Sequence, residues 1–260
     1  MGEGMSLIEQ TLWGERDKVQ IAIDRLKEFE PTEGYYLAFS GGKDSITVYR
    51  LAQMAGVKFQ AVYNITTVDP PELVQFIKRE YPEVERHHPT ESMWALIALH
   101  QGPPLRHQRY CCAELKERGG TGRVVLTGVR WAESPRRNKR RMTEQCMTDG
   151  SKTFLHPIID WTTDEVWEFI RQERLPYCSL YDEGFSRVGC VLCPMSRNTE
   201  RDIARWPKIA AQYVRTLDRI VIQRQETGEP CTYANGQEWF DWWIQRDAKG
   251  QDDAQLVLFE

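Results

Sequence analysis

The chain lacks long hydrophobic runs, internal repeats, low-complexity segments and any strong excess of one charge. Without 18 or more consecutive apolar residues, no membrane-spanning helix is expected. A net charge of −4 over 260 residues gives no global basic field that would mark a nucleic-acid binder. The five histidines carry little: His87-His88 reads as surface, and His107 and His156 flank motifs without metal-ligand spacing. The opening Met1-Gly2-Glu3-Gly4-Met5-Ser6 lacks the basic-then-apolar layout of a secretion signal, so a cytoplasmic location is expected. In that compartment the seven cysteines are expected as reduced thiols or metal ligands rather than disulfides. A hydrophobic content of 41% is enough to bury one α/β domain with an appendage, or two small domains.

The informative stretch is Ser40-Gly41-Gly42-Lys43-Asp44-Ser45. It follows the apolar run Tyr35–Phe39 and opens the helical pattern Ile46–Ala52. Strand, glycine turn and helix N-terminus make an anion site from backbone: the first helical N–H groups lack carbonyl partners, and the helix dipole adds positive charge. Ser40 and Ser45 add hydroxyls, and Lys43 adds a full charge. The adjacent glycines exclude a Walker loop, which needs four residues between its first glycine and Gly-Lys-Ser/Thr.

Around this stretch the pattern is α/β. A helix is expected over 13–29, a second strand over Phe59–Tyr63, a helix starting at Val68–Glu72 and ending near Pro82, and another over 91–100. Strand, helix, strand at this spacing implies parallel strands, with Asn64 beyond the carboxyl end of the second. Val124–Gly128 reads as a buried strand delivering Arg130. The basic run Arg136, Arg137, Lys139, Arg140 and Arg141 follows. Thr162 and Glu165 form a capping box for the next helix. Residues 176–198 read as irregular, a long helix carries Ile209, Tyr213, Leu217 and Ile220, and the end is aromatic-rich over Trp239–Trp243. The expected division is an N-terminal helical segment (1–33), a nucleotide-binding α/β domain (34–175), a cysteine-containing helical region (176–247) and a tail (248–260).

Cys190-Val191-Leu192-Cys193 is a C-x-x-C, and Cys111-Cys112 is an adjacent pair upstream. Two pairs make a four-thiolate site for zinc or an iron–sulfur cluster possible. Cys178 and Cys231 have no evident partner and read as structural.

The hexapeptide resembles the PP-loop of the adenine-nucleotide α-hydrolases. Followed in order by Arg109–Cys112, Gly128-Val129-Arg130 with Glu133-Ser134, Pro157–Trp161 with Val166-Trp167, and Gly189–Pro194, it resembles the phosphoadenosine phosphosulfate reductase family over about Tyr35–Ser196. The resemblance implies a Rossmann-like parallel sheet flanked by helices, with a helical, cysteine-containing C-terminal part. It implies ATP bound over Ser40, Gly41, Gly42, Lys43, Asp44 and Ser45, with Asn64 near the adenosine and Arg130 and Arg137 at the phosphates. Lys43, Asp44 and Arg130 are the implied catalytic residues; Asp44 would either hold Mg2+ or cap the helix. Cys111, Cys112, Cys190 and Cys193 would ligate a 4Fe-4S cluster, with Cys146 an alternative to Cys111 or Cys112.

Sulfonucleotide reductases carry a nucleophilic cysteine in a C-terminal Glu-Cys-Gly-Leu/Ile-His motif, whereas this chain closes on Asp253–Glu260 and its last cysteine is Cys231. The expectation is therefore an ATP pyrophosphatase similar to those of DNA phosphorothioation, which adenylates an acceptor for sulfur transfer to a nucleic acid. A sulfur-donor protein such as a cysteine desulfurase would be its partner. The alternatives are an adenylyl-sulfate reductase and a non-catalytic nucleotide-binding regulatory subunit.

Overall fold

The computed structural model describes residues 7–11, 14–146, 150–196 and 198–248. In chain order these form β1 (Ile8–Thr11), β2 (Gly14–Asp17), α1 (Lys18–Glu28), β3 (Tyr35–Ala38), α2 (Lys43–Ala55), β4 (Phe59–Asn64), α3 (Pro71–Glu80), β5 (Glu85–His87), α4 (Met93–Leu99) and α5 (Tyr110–Leu115). Then follow β6 (Val124–Leu126), β7 (Thr143–Gln145), β8 (Thr153–Leu155), α6 (Thr163–Gln172), α7 (Thr199–Arg205), α8 (Pro207–Thr227) and α9 (Gly236–Ala248). The chain divides into two compact units that interleave in sequence: 1–64, 71–87 and 118–188, and 65–70, 88–117 and 189–260. Among the described residues no helix is long and apolar enough to cross a membrane.

The first unit is built on a six-stranded sheet in the order β5-β4-β3-β6-β8-β7. Five strands are parallel, as expected, and the edge strand β7 runs antiparallel to β8. Tyr36, Val62 and Val125 from the three central strands are buried together, with Ala38 and Phe154 packed against them. From β3 the chain builds outward through β4 and β5, then returns to place β6 and β8 on the other side. The order therefore reverses between β3 and β6. The loops leaving their carboxyl ends diverge, and a crevice opens where ligands of such sheets bind.

The helix expected over 13–29 starts only at Lys18. Residues 14–17 pair instead with 8–11 as a hairpin, and the Asp17 carboxylate caps α1, accepting from the Val19 and Gln20 N–H groups at 2.9 and 3.1 Å. The capping box at Thr162 and Glu165 is formed as the sequence predicts.

Asp160 anchors this N-terminal part to the sheet's carboxyl end. Arg25 donates to both its oxygens at 2.8 and 3.1 Å, and Arg16 donates to Oδ2 at 2.8 Å. Burial works to raise the Asp160 pKa, but hydrogen bonding and attraction from Arg25, helped by Arg16, hold it below the ordinary carboxylate value. A carboxyl depressed on folding stabilises fully above its unfolded pKa, and that stabilisation is lost as pH falls through the folded value. Asp160→Asn should therefore cost about 2 kcal/mol near neutrality. Urea titrations of both proteins should converge once the pH drops below the folded Asp160 pKa. A constant difference across the acid range would contradict the pairing.

The second unit is helical. Proline at the first position of α8 and a left-handed Gly228 past its end set its limits. Tyr213 of α8 packs against Trp94 of α4 and Trp243 of α9, at ring-centroid distances of 5.0 Å each, and the Trp243 indole N–H donates to the Pro104 carbonyl at 2.8 Å. The aromatic-rich end is thus a core helix. Of the tail expected over 248–260, Ala248 ends α9 and the rest lies outside the described residues.

Candidate functional site

The loop between β3 and α2 depends on two glycines. Gly41 has φ +68°, and a Cβ there would stand 2.7–2.8 Å from Ile77 and Leu73 side-chain atoms, so neither conformation nor space admits another residue. At the end of β6, a Cβ on Gly128 would lie 2.7–2.9 Å from Asp44 atoms, including its backbone. The glycine is what lets β6 deliver its loop directly against the start of α2.

Helix α2 begins with no side-chain cap. The acceptor on its first N–H, that of Lys43, is the Tyr181 hydroxyl at 2.9 Å. Ser45 is turned inward: its hydroxyl donates to the Gly42 carbonyl at 2.9 Å and accepts from the Ser40 N–H at 3.2 Å. The expected phosphate ligand is therefore a brace of the loop in this arrangement. Ser40 is exposed, and its hydroxyl bonds Ser45 Oγ at 3.2 Å.

Asp44 organises the cations. It accepts from Lys43 Nζ at 3.1 Å and from Arg130 Nε at 2.7 Å. Arg130, 1% exposed, also donates to the Trp161 carbonyl at 3.1 Å and to the Thr163 hydroxyl at 3.4 Å. Its guanidinium is engaged with these protein groups and supports the loop through Asp44. Arg137 is paired with Glu133. The Asn64 amide donates to the Tyr36 hydroxyl at 3.3 Å at the end of β4.

These residues frame a cavity of about 210 Å3 at the switch point. Of the residues singled out from the sequence, Ser40, Gly42, Lys43, Asp44, Ser45 and Arg137 line it. Thr127, Gly128, Val129, Glu133, Tyr181, Arg187 and Val188 line it too, whereas Gly41, Asn64 and Arg130 are not among the lining residues. Tyr181, Arg187 and Val188 fall in the stretch read only as irregular. Their one sequence signal was position, just ahead of the C-x-x-C.

The four candidate cluster ligands belong to the second unit. Cys111 and Cys112 sit on α5. Between Cys190 and Cys193, Leu192 has φ +55°, and its N–H is held by Asp202 at 3.0 Å. The Val191 N–H donates to the Val68 carbonyl at 2.9 Å, and the Cys190 thiol donates to the Thr66 hydroxyl at 3.4 Å. The pairs sense each other: hydrogen bonding to Cys112 and burial push the Cys111 thiol up, with Cys190 and Cys193 adding to the rise. Cys112 is driven down, first by the Cys111 hydrogen bond and then by Lys116 and Arg109. Lys116 is held protonated chiefly by Cys190. Four thiols within electrostatic reach, with a cation beside them, suit a thiolate-bound metal or cluster in donor type. Among the described residues, however, no three His, Cys, Asp or Glu side chains converge at metal-binding geometry. Cys146 belongs to the first unit, just past β7, where its N–H donates to the Lys152 carbonyl at 2.8 Å. Cys178 is fully buried.

Comparison with known proteins places the chain in a family. Uncharacterized protein MJ0973 of Methanocaldococcus jannaschii is 27% identical over 201 residues, covering 73% of this chain and 49% of that protein. The adenosine 5′-phosphosulfate reductase of Allochromatium vinosum is 29% identical over 150 residues, covering 52% of this chain and 57% of the reductase. The chain thus spans about half the length of the curated relatives it matches. The crystal structure of phosphoadenylyl-sulfate (PAPS) reductase from Candida auris, a phosphate complex, superposes with a TM-score of 0.51 at 17% identity, covering 65% of this chain and 87% of that one. That likeness is one of fold. The model of the phosphoadenosine phosphosulfate reductase domain matches residues 34–196, from the strand before the glycine loop to just past the C-x-x-C, and the chain belongs to that family.

Proposed function

We propose that the protein is an ATP pyrophosphatase of the PP-loop type acting in sulfur transfer to a nucleic acid. The observation that carries this is the cavity at the β3/β6 switch point, lined by Ser40, Gly42, Lys43, Asp44 and Ser45 at the start of α2. An oxygen of the acceptor attacks the α-phosphate. The new P–O bond forms as the bond to the β-phosphate's bridging oxygen breaks, and pyrophosphate leaves with the electron pair. Backbone N–H groups of the loop and the Lys43 ammonium face the charge that grows on that leaving group, a preorganised electrostatic role. The outer sulfur of a persulfide on a donor such as a cysteine desulfurase then attacks the adenylated position and displaces AMP. A second thiol attacks the donor's sulfur in the resulting mixed disulfide, leaving the sulfur on the acceptor and a disulfide on the donor. Mg2+, held by the phosphates and Asp44, would neutralise the triphosphate, and Asn64 stands at the strand end on which the adenosine is expected.

A nucleic-acid acceptor is supported by the segment after β6. Trp131 is 40% exposed, its indole N–H fixed to the Arg140 carbonyl at 2.8 Å. Arg136, Lys139 and Arg141 are exposed nearby, with no carboxylate partner among the described residues. An exposed aromatic among free cations suits a single strand, which offers a base to stack and phosphates to pair. Incubation with ATP, Mg2+ and single-stranded nucleic acid should yield AMP and pyrophosphate. With a dithiol supplied as the two-electron reductant, turnover of adenosine 5′-phosphosulfate to sulfite and AMP, without use of ATP, would favour the reductase reading suggested by the A. vinosum relative. Binding of ATP without turnover of either nucleotide would favour a regulatory subunit.

Cys111, Cys112, Cys190 and Cys193 are the residues that would hold a 4Fe-4S cluster. Such a cluster, when bound, supplies redox and sulfur-handling chemistry. Anaerobically purified protein should contain about four iron atoms per chain, and Cys190→Ser should lose most of them. Zinc, or no metal, in the wild-type protein would rule the cluster out.

A further inference from the structure

We propose that Tyr181 and Arg187 form a second wall of the phosphate site and contact the terminal phosphates of the nucleotide, and so the departing pyrophosphate. The proposal rests on the ATP reading above. Both residues line the cavity, and both come from the segment that precedes the C-x-x-C.

The Tyr181 hydroxyl occupies the position a phosphate oxygen would take on the Lys43 N–H, 2.9 Å away. The phenol oxygen lies directly over the loop, 3.5 Å from where a Cβ on Gly42 would stand. Its ring is fixed edge-on against Trp167 at 4.9 Å. As the acceptor in that bond, the phenol keeps its own proton, which has no acceptor among the described residues. An incoming phosphate oxygen can take the Lys43 N–H while the phenol donates to the same phosphate. One neutral hydrogen bond is thereby exchanged for two charge-assisted ones.

Arg187 supplies the charge. Lys43 and Arg130 share Asp44, and Arg137 is paired with Glu133. Among the described residues that line the cavity, Arg187 is the cation with no carboxylate partner, and it is exposed and free to turn inward. A polyphosphate brings several negative charges to a wall whose other cations are already neutralised, so the free guanidinium is the group left to meet it. Its planar fork suits a terminal phosphate in two-point contact.

The test is calorimetric binding of pyrophosphate with Mg2+, of ATP with Mg2+ and of AMP, to the full chain and to Arg187→Gln, Arg187→Lys and Tyr181→Phe. Arg187→Gln should weaken pyrophosphate and ATP by at least tenfold and leave AMP within twofold. Arg187→Lys should recover part of the loss, and Tyr181→Phe should weaken pyrophosphate severalfold. Equal binding of pyrophosphate by wild type and both neutral variants overturns this proposal alone. An equal loss of AMP overturns it too, because the effect is then not on the terminal phosphates. A wild-type protein that binds neither ATP nor pyrophosphate overturns the ATP reading as well.

Discussion

Lys43→Ala is expected to slow pyrophosphate release by about 10²–10³-fold, the usual effect of deleting one group that stabilises transition-state charge. The substitution removes the ammonium facing the cavity but does not strand its partner. Asp44 keeps the Arg130 guanidinium at 2.7 Å, and Ser45 continues to tie the loop through its bonds to Gly42 and Ser40. Stability should therefore change far less than rate. Stopped-flow pyrophosphate detection at saturating ATP separates a fall in kcat from a rise in KM. A loss confined to KM would make Lys43 a binding group alone.

Asp44→Ala should act in the opposite sense, on the fold first. Arg130 is 1% exposed, and Asp44 is the carboxylate that balances it. Removing one partner of a buried pair leaves a charge without compensation, a loss of about 3 kcal/mol. For a protein of this size that corresponds to a fall in Tm of roughly 6–12 °C. Asp44→Asn should cost less, because the amide oxygen can still accept from Arg130. The contrast is what matters: Lys43→Ala should be stable and slow, Asp44→Ala unstable. An Asp44→Ala protein that melts with the wild type would show that Arg130 does not depend on that carboxylate.

What the sequence made legible is what lies close together along the chain. The glycine loop, the helix it opens and the Thr162–Glu165 capping box are each contained in a few residues, and each forms as read. The role of Arg130 was harder to read, because its carboxylate partner lies 86 positions earlier. Tyr181 meets Lys43 across 138 positions, and nothing periodic in 176–198 announces it. Ser45 reads as one of the hydroxyls of the anion site, and the sequence does not show the bond it makes within the loop. Its inward turn follows from the Gly42 carbonyl, which the backbone brings within 2.9 Å. The helix expected over 13–29 failed at its start for a related reason: residues 14–17 are satisfied by pairing with 8–11. Cys111 and Cys112 stand far from Cys190 and Cys193 in sequence, and that the two pairs sense each other follows from the fold of the second unit, not from their count.

The most direct test of the account is a crystal structure of the protein with Mg2+ and a non-hydrolysable ATP analogue. The account predicts the phosphates seated over Gly41–Asp44, with the Lys43 ammonium and the α2 N–H groups as donors. Phosphates bound elsewhere, with the Tyr181 hydroxyl still on the Lys43 N–H and the cavity open, would contradict it.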